Sequence, residues 1–221
     1  MEVKVKQSEF LGLLRWTQGV VDRKSTMPIL SNLLLEGEGG RLKVSATDLE
    51  IGLMVQGEAE VIKEGKVVVN ARSLFEIVKE APDPLIRIRS EGASLEITSG
   101  KARFKVVGLD PAEFPALPSG AGKGEVHLDA SLLEGMIAKT FCAISNDETR
   151  YTLNGLYFVE VPQGEKTYFR VVGTDGHRLS YVEREASKKL KLEKGIIIPK
   201  KGIAELKKLL AEGSGELVVS L

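Results

Sequence analysis

At 221 residues, with 43% hydrophobic and 28% charged side chains, the chain is long enough for two domains that each bury a core. No apolar run approaches the roughly 20 residues of a membrane-spanning helix, and the start, MEVKVKQSEF, is neither a signal nor a transit peptide, so the expected compartment is the cytoplasm. The 31 basic and 31 acidic residues cancel, which excludes a nucleic-acid binder that works by net charge and leaves only one that sorts its basic residues onto a surface.

In chain order, an amphipathic helix begins near Ser8, with Phe10, Leu13, Leu14, Thr17, Val20 and Val21 on one face. Met27-Pro28 opens an extended segment, because the residue before a proline avoids the helical region. Short strands are predicted around Leu42 to Val44, Val67 to Val69, Leu95 to Ile97 and Phe104 to Val107, with turns at Gly39-Gly40 and Ser99-Gly100. A second helix begins near Arg72. Pro115, Pro118 and three glycines then break the pattern between Phe114 and Val126, which reads as a domain boundary. The single cysteine, Cys142, lies between Phe141 and Ala143 and is expected to be a buried thiol.

The pattern then repeats. SEFLGLLRWT from Ser8 aligns with SLLEGMIAKT from Ser131, a shift of 131 − 8 = 123 that pairs Phe10 with Leu133, Leu13 with Met136, Leu14 with Ile137 and Thr17 with Thr140. The same shift sets Leu30 opposite Leu153, Leu33 opposite Leu156 and Leu35 opposite Phe158. Short insertions later change it. Thr47-Asp48 answers Thr174-Asp175 at 174 − 47 = 127, and VVVNARSLFEI from Val67 answers IIIPKKGIAEL from Ile196, with Leu74 opposite Ile203 and Ile77 opposite Leu206.

The expected fold is therefore α+β and repeated, each copy two helices packed on antiparallel sheets. Residues 1–118 form the first domain, 119–125 a linker and 126–221 the second. The last pattern, GELVVSL, answers PLIRIRS near Leu85, so the second copy is expected to stop before its final strands.

Four strings go further: STMPILSNLLLE from Ser25, FKVVGLDPAEFPALP from Phe104, ISNDETRYTLNGLYF from Ile144 and VGTDGHRLS from Val172. Together, and in this order, they resemble the bacterial β sliding clamp family, the β subunit of DNA polymerase III. The resemblance implies three copies of a DNA-clamp domain per chain, of which this sequence lacks the third, and a head-to-tail homodimeric ring around duplex DNA. It implies a non-catalytic processivity factor whose partners are the polymerase III catalytic subunit, the clamp loader and other polymerases or repair proteins, docked through short apolar peptides.

Such a ring needs only weak, salt-sensitive phosphate contacts. The candidates are Lys24 and Arg150, in loop motifs that the family uses near DNA, then Arg15, Arg72, Lys79, Lys139, Lys200 and Lys201 on or beside helices, where plain solvated surface is the competing reading. Tyr151 is either a base-stacking aromatic or a core tyrosine. By resemblance, Leu153, Thr174, Gly176, His177, Arg178 and Leu179 form the peptide pocket.

Taken by itself, Asp175 beside His177 would hint at acid–base chemistry. With His127 the only other histidine, no second cysteine and no zinc-ligand spacing, a hydrolase is the weaker alternative. Asp48 and Asp175 read instead as turn residues that bond backbone amides, and Gly176 as a position needing positive φ. No cofactor, metal or membrane partner is implied. A peptide-binding scaffold of the same fold that does not encircle DNA is the remaining alternative.

Overall fold

The computed structural model describes residues 1–22, 26–117, 125–185, 192, 194–212 and 215–220. The chain divides into two compact units, Met1–Pro118 and Ser119–Leu221.

In the first unit, strand β1 (Glu2–Lys6) leads into helix α1 (Gln7–Thr17), followed by β2 (Asn32–Glu38), β3 (Arg41–Thr47), β4 (Gly52–Glu58), β5 (Glu60–Lys63) and β6 (Gly65–Asn70). Helix α2 (Ala71–Lys79) and strands β7 (Leu85–Glu91), β8 (Ser94–Ser99) and β9 (Ala102–Val107) complete it. The strands form a five-stranded sheet in the order β5-β1-β7-β8-β9 and a four-stranded sheet in the order β4-β3-β2-β6, antiparallel throughout. Helix plus strands thus occurs twice within the unit.

The second unit opens with β10 (Glu125–Asp129) and α3 (Ala130–Thr140), continues through β11 (Gly155–Gln163), β12 (Lys166–Thr174), β13 (Leu179–Glu185) and β14 (Ile196–Pro199), and ends in α4 (Lys200–Glu212) and β15 (Glu216–Ser220). Its sheets have the orders β13-β12-β11-β14 and β10-β15. β10 pairs with β15 as β1 pairs with β7, which places GELVVSL where the repeat puts it.

The paired residues of the repeat hold equivalent places. α1 buries Phe10, Leu13, Leu14 and Thr17, and α3 buries Leu133, Met136, Ile137 and Thr140, one stripe at helical spacing in each. The threonine hydroxyls are fully buried and donate back into their own helices, Thr17 Oγ1 to the Leu14 carbonyl at 2.8 Å and Thr140 Oγ1 to that of Met136 at 2.9 Å. Leu33 and Leu156 both have zero exposure, as do Leu74 and Ile203. α2 and α3 are capped by Asn70 and Asp129, whose side chains accept from the amides of Ser73 at 3.0 Å and Leu132 at 2.8 Å.

Three sequence expectations need correction. α1 ends at Thr17, so Val20 and Val21, although buried, reach the core from the turn after the helix. Met27 is extended, but Pro28–Ser31 coils into a 3-10 turn before β2, since proline's fixed φ suits a first helical position as well as a strand. Cys142 is exposed: in the 3-10 turn Phe141–Ala143, neighbouring side chains diverge, and Ala143 takes the buried direction.

Candidate functional site

The second unit gathers the predicted pocket residues around one turn. Between β12 and β13, Thr174 Oγ1 donates to the Arg178 carbonyl at 2.7 Å and accepts from the Gly176 amide at 3.2 Å. Asp175 Oδ1 accepts from the amides of His177 and Arg178, each at 3.0 Å. These amide donors, with the Arg178 guanidinium 3.0 Å from Oδ2, hold the Asp175 carboxyl at about 2, well below its ordinary value. Asp175 is thus a turn brace ionised near neutral pH, the role the sequence assigned it, and a poor proton shuttle there. Gly176 has φ 90°, the positive value expected of it.

Leu153 arrives from a separate loop. Asp147 Oδ1 accepts from the Thr149 amide at 3.0 Å and from its hydroxyl at 2.6 Å, and the amides of Leu153 and Asn154 donate to the Arg150 carbonyl at 2.8 and 2.9 Å. Asn154 Nδ2 ties the loop to the Ser145 carbonyl at 2.8 Å. A β-carbon added to Gly176 would sit 4.0 Å from Leu153 Cδ1 and 3.8 Å from Arg150 Nη1, so the loop and the turn touch. Leu179 is 62% exposed, His177 and Arg178 are exposed and Leu153 is half-buried. Among the described residues the result is an exposed apolar patch edged by an imidazole, a guanidinium and a fixed carboxylate.

The basic candidates divide between the units. In the first, Arg15 on α1 and Arg72 and Lys79 on α2 are exposed on two helices that pack together, and Lys79 lies 3.3 Å from Glu80, which weakens it as a phosphate ligand. Lys24 lies outside the described residues. In the second unit, Lys139 ends α3 while Lys200 and Lys201 begin α4, which packs on α3. Lys200 bonds Asn146 and lies 5.8 Å from the Phe141 ring centroid. Arg150 is exposed with Nε 3.2 Å from Asp147, and Tyr151 is 80% exposed, which rules out the core reading of that tyrosine.

Lys207 is a residue that sequence reasoning passed over. Its Nζ lies 4.5 Å from the Phe141 centroid, beside Lys200. Its spacing of seven from Lys200 puts both on one helical face, a signal the sequence did contain.

Two concavities of about 880 and 490 Å³ lie in the first unit. Lys4, Glu9, Arg41 and Glu60 help line the larger, and Arg89, Glu91, Arg103 and Lys105 the smaller; neither includes the turn. The described residues contain no group of three or more His, Cys, Asp or Glu placed to hold a metal, and no helix among them is long and apolar enough to cross a membrane.

The chain is 38% identical to the beta sliding clamp of Caulobacter vibrioides over 221 residues, 99% of this chain and 59% of that one. It is 37% identical to the beta sliding clamp of Pseudomonas aeruginosa, covering 100% of this chain and 60% of that one. A solved Caulobacter crescentus beta sliding clamp superposes with a TM-score of 0.92 at 38% identity, over 100% of this chain and 60% of the other. The Bartonella birtlesii clamp solved bound to griselimycin gives 0.92 at 36% identity, over 99% and 59%. The chain therefore spans about 60% of the length of the relatives it matches. Its residues 1–118 match the N-terminal domain, and its residues 127–221 the central domain, of the DNA polymerase III beta subunit, and the chain belongs to that family.

Proposed function

We propose that this chain acts as a sliding clamp, a non-catalytic processivity factor of the cytoplasm that encircles duplex DNA in a ring of clamp chains and tethers the proteins docked on it. The observation that carries this reading is the correspondence over 99–100% of the chain with beta sliding clamps at 36–38% identity and TM-scores up to 0.92. In a topological tether, contacts with DNA are weak by design, and a net charge of zero suits it: a few lysines and arginines steer phosphate without gripping it. Arg15, Lys24, Arg72, Lys79, Lys139, Arg150, Lys200 and Lys201 are assigned to that surface, with Tyr151 available to stack on a base.

Leu153, Thr174, Gly176, His177, Arg178 and Leu179 are assigned to partner docking. The partners are the polymerase III catalytic subunit, the clamp loader and other polymerases or repair proteins, each entering as a short apolar peptide. Griselimycin, bound to the Bartonella and Pseudomonas clamps, is proposed as a ligand of this chain as well. The first test is retention on nicked circular DNA in the presence of a clamp loader, for this chain and for a version extended by a third repeat. Retention on circles with loss on linearisation is the expected result for the extended version. A folded protein retained on neither form would leave the peptide-docking scaffold as the function.

A further inference from the structure

Helix α4 carries two lysines on the stripe that faces the core. Its buried residues are Ile203 and Leu210, and Lys200 and Lys207 fall in line with them at i, i+3, i+7 and i+10. The repeat shows what these positions hold in the first unit. With Leu74 opposite Ile203, a shift of 203 − 74 = 129, Ala71 stands opposite Lys200 and Val78 opposite Lys207. Ala71 and Val78 are 2% and 0% exposed. The second unit thus has two lysines where the first has two buried apolar side chains.

Both ammonium groups reach one ring. Lys207 Nζ lies 4.5 Å and Lys200 Nζ 5.8 Å from the Phe141 centroid, within the range at which a ring face attracts a cation. Phe141 follows α3 directly and packs against the second unit's core cluster, which fixes the ring. Among the described residues no carboxylate pairs with either lysine. Lys200 Nζ bonds the neutral side-chain oxygen of Asn146, and Lys207 has the ring. Lys208, the next residue, is the ordinary surface case, exposed and 2.7 Å from Glu205. Two like charges gathered at one ring repel each other, and neither a ring nor an amide oxygen carries the net negative charge that would offset this. A phosphodiester does, and it accepts charge-assisted hydrogen bonds from ammonium groups.

We propose that Lys200 and Lys207 form a paired-cation site for the phosphates of duplex DNA, with Phe141 as the positioning residue that holds both ammonium groups in place. The site rests on the sliding-clamp reading and adds Lys207 and Phe141 to the DNA surface. A ring suits a sliding contact better than an acid. A carboxylate partner would neutralise the lysines, whereas the ring orients them and leaves their charge for phosphate.

The test is association of the full chain with a fluorescein-labelled DNA duplex, followed by fluorescence anisotropy between about 50 and 200 mM salt. Lys207→Gln should lower the log–log salt slope by about 0.9, and Lys208→Gln should leave it at the parent value. A Lys207→Gln slope equal to the parent's, or an equal drop in both variants, overturns the proposal. Phe141→Leu keeps every charge, so its slope should match the parent's while affinity falls roughly two- to fivefold, the worth of an exposed cation–π contact. Phe141→Tyr should restore the parent affinity. Unchanged or tighter association of Phe141→Leu overturns the positioning role. Should Phe141→Leu unfold, the parent with 13C-dimethylated lysines decides. Its Lys200 and Lys207 methyl signals, assigned by the glutamine variants, should lie upfield through the ring current and move when duplex is added; signals that stay in place overturn the proposal. A folded parent with no salt-dependent association removes the DNA surface and this site together, whereas a parent that associates while Lys207→Gln matches it overturns the site alone.

Discussion

The Thr-Asp turn shows how much chemistry a single position can carry. Leu49 bears backbone strain that Gly176, its counterpart, avoids: a left-handed residue with a β-carbon costs about 1–2 kcal/mol, partly offset by the greater entropy glycine loses on folding. Leu49→Gly should therefore stabilise the chain by about 0.5–1 kcal/mol, read as a higher urea midpoint, and Gly176→Ala should destabilise by at least as much. Asp175 gives a pH signature. Its folded-state value is depressed to about 2 from 3.8, so its contribution is complete above 3.8 and is lost as pH falls from there through about 2. Asp175→Asn should weaken the fold at neutral pH and flatten the acid limb of the stability curve between those values, as denaturation at a series of pH values would reveal. Both aspartates were legible as turn residues, because Asx side chains bond backbone amides two residues on. The exposure of Cys142 was not, since apolar neighbours in sequence do not fix which way a side chain points on a 3-10 turn.

Among the elements, the helices are the best specified. α3 starts at Asp129, whose carboxylate accepts from the Leu132 amide and the Ser131 hydroxyl and is lowered in pKa chiefly by the hydroxyl. α2 starts at Asn70, whose side-chain oxygen accepts from the Ser73 amide at 3.0 Å and from its hydroxyl at 3.2 Å. Asn70→Ala should cost about 0.5–2 kcal/mol in urea denaturation. In the core, Leu33 is fully buried on a central strand of the β4-β3-β2-β6 sheet, and Leu33→Ala should cost about 2–5 kcal/mol by the same measurement. The stripes at i, i+3, i+4 and i+7 in α1 and α3 placed both helices on their sheets from sequence alone. Strand β1 escaped that reading, although Val3 and Val5, buried at 0% and 2%, alternate with charged residues as a half-buried strand should. Five residues running straight into a helix give too short a pattern to separate from it.

At the scale of the molecule, the total charge is neutral, and Lys139, Lys200 and Lys201 lie on α3 and α4, two helices that pack together. Replacing Lys139, Lys200 and Lys201 with glutamine should lower the salt dependence of DNA association by about 0.9 in log–log slope for each phosphate no longer neutralised, and leave the urea midpoint nearly unchanged. A variant set with an unaltered slope would remove those lysines from the DNA surface. The sequence by itself determined the duplication, the α+β class and the family, because the buried stripe of each element is a local pattern and the motifs are contiguous strings. It also determined which residues form the Thr174–Leu179 turn. Only the tertiary structure decided that Leu30 is buried in one cluster with Phe114, that Tyr151 faces solvent and that Lys207 joins Lys200 over Phe141. Exposure depends on what packs against a residue from distant parts of the chain, as Phe114 does with Leu30 and Leu117 with Gly52, and no local periodicity encodes that meeting.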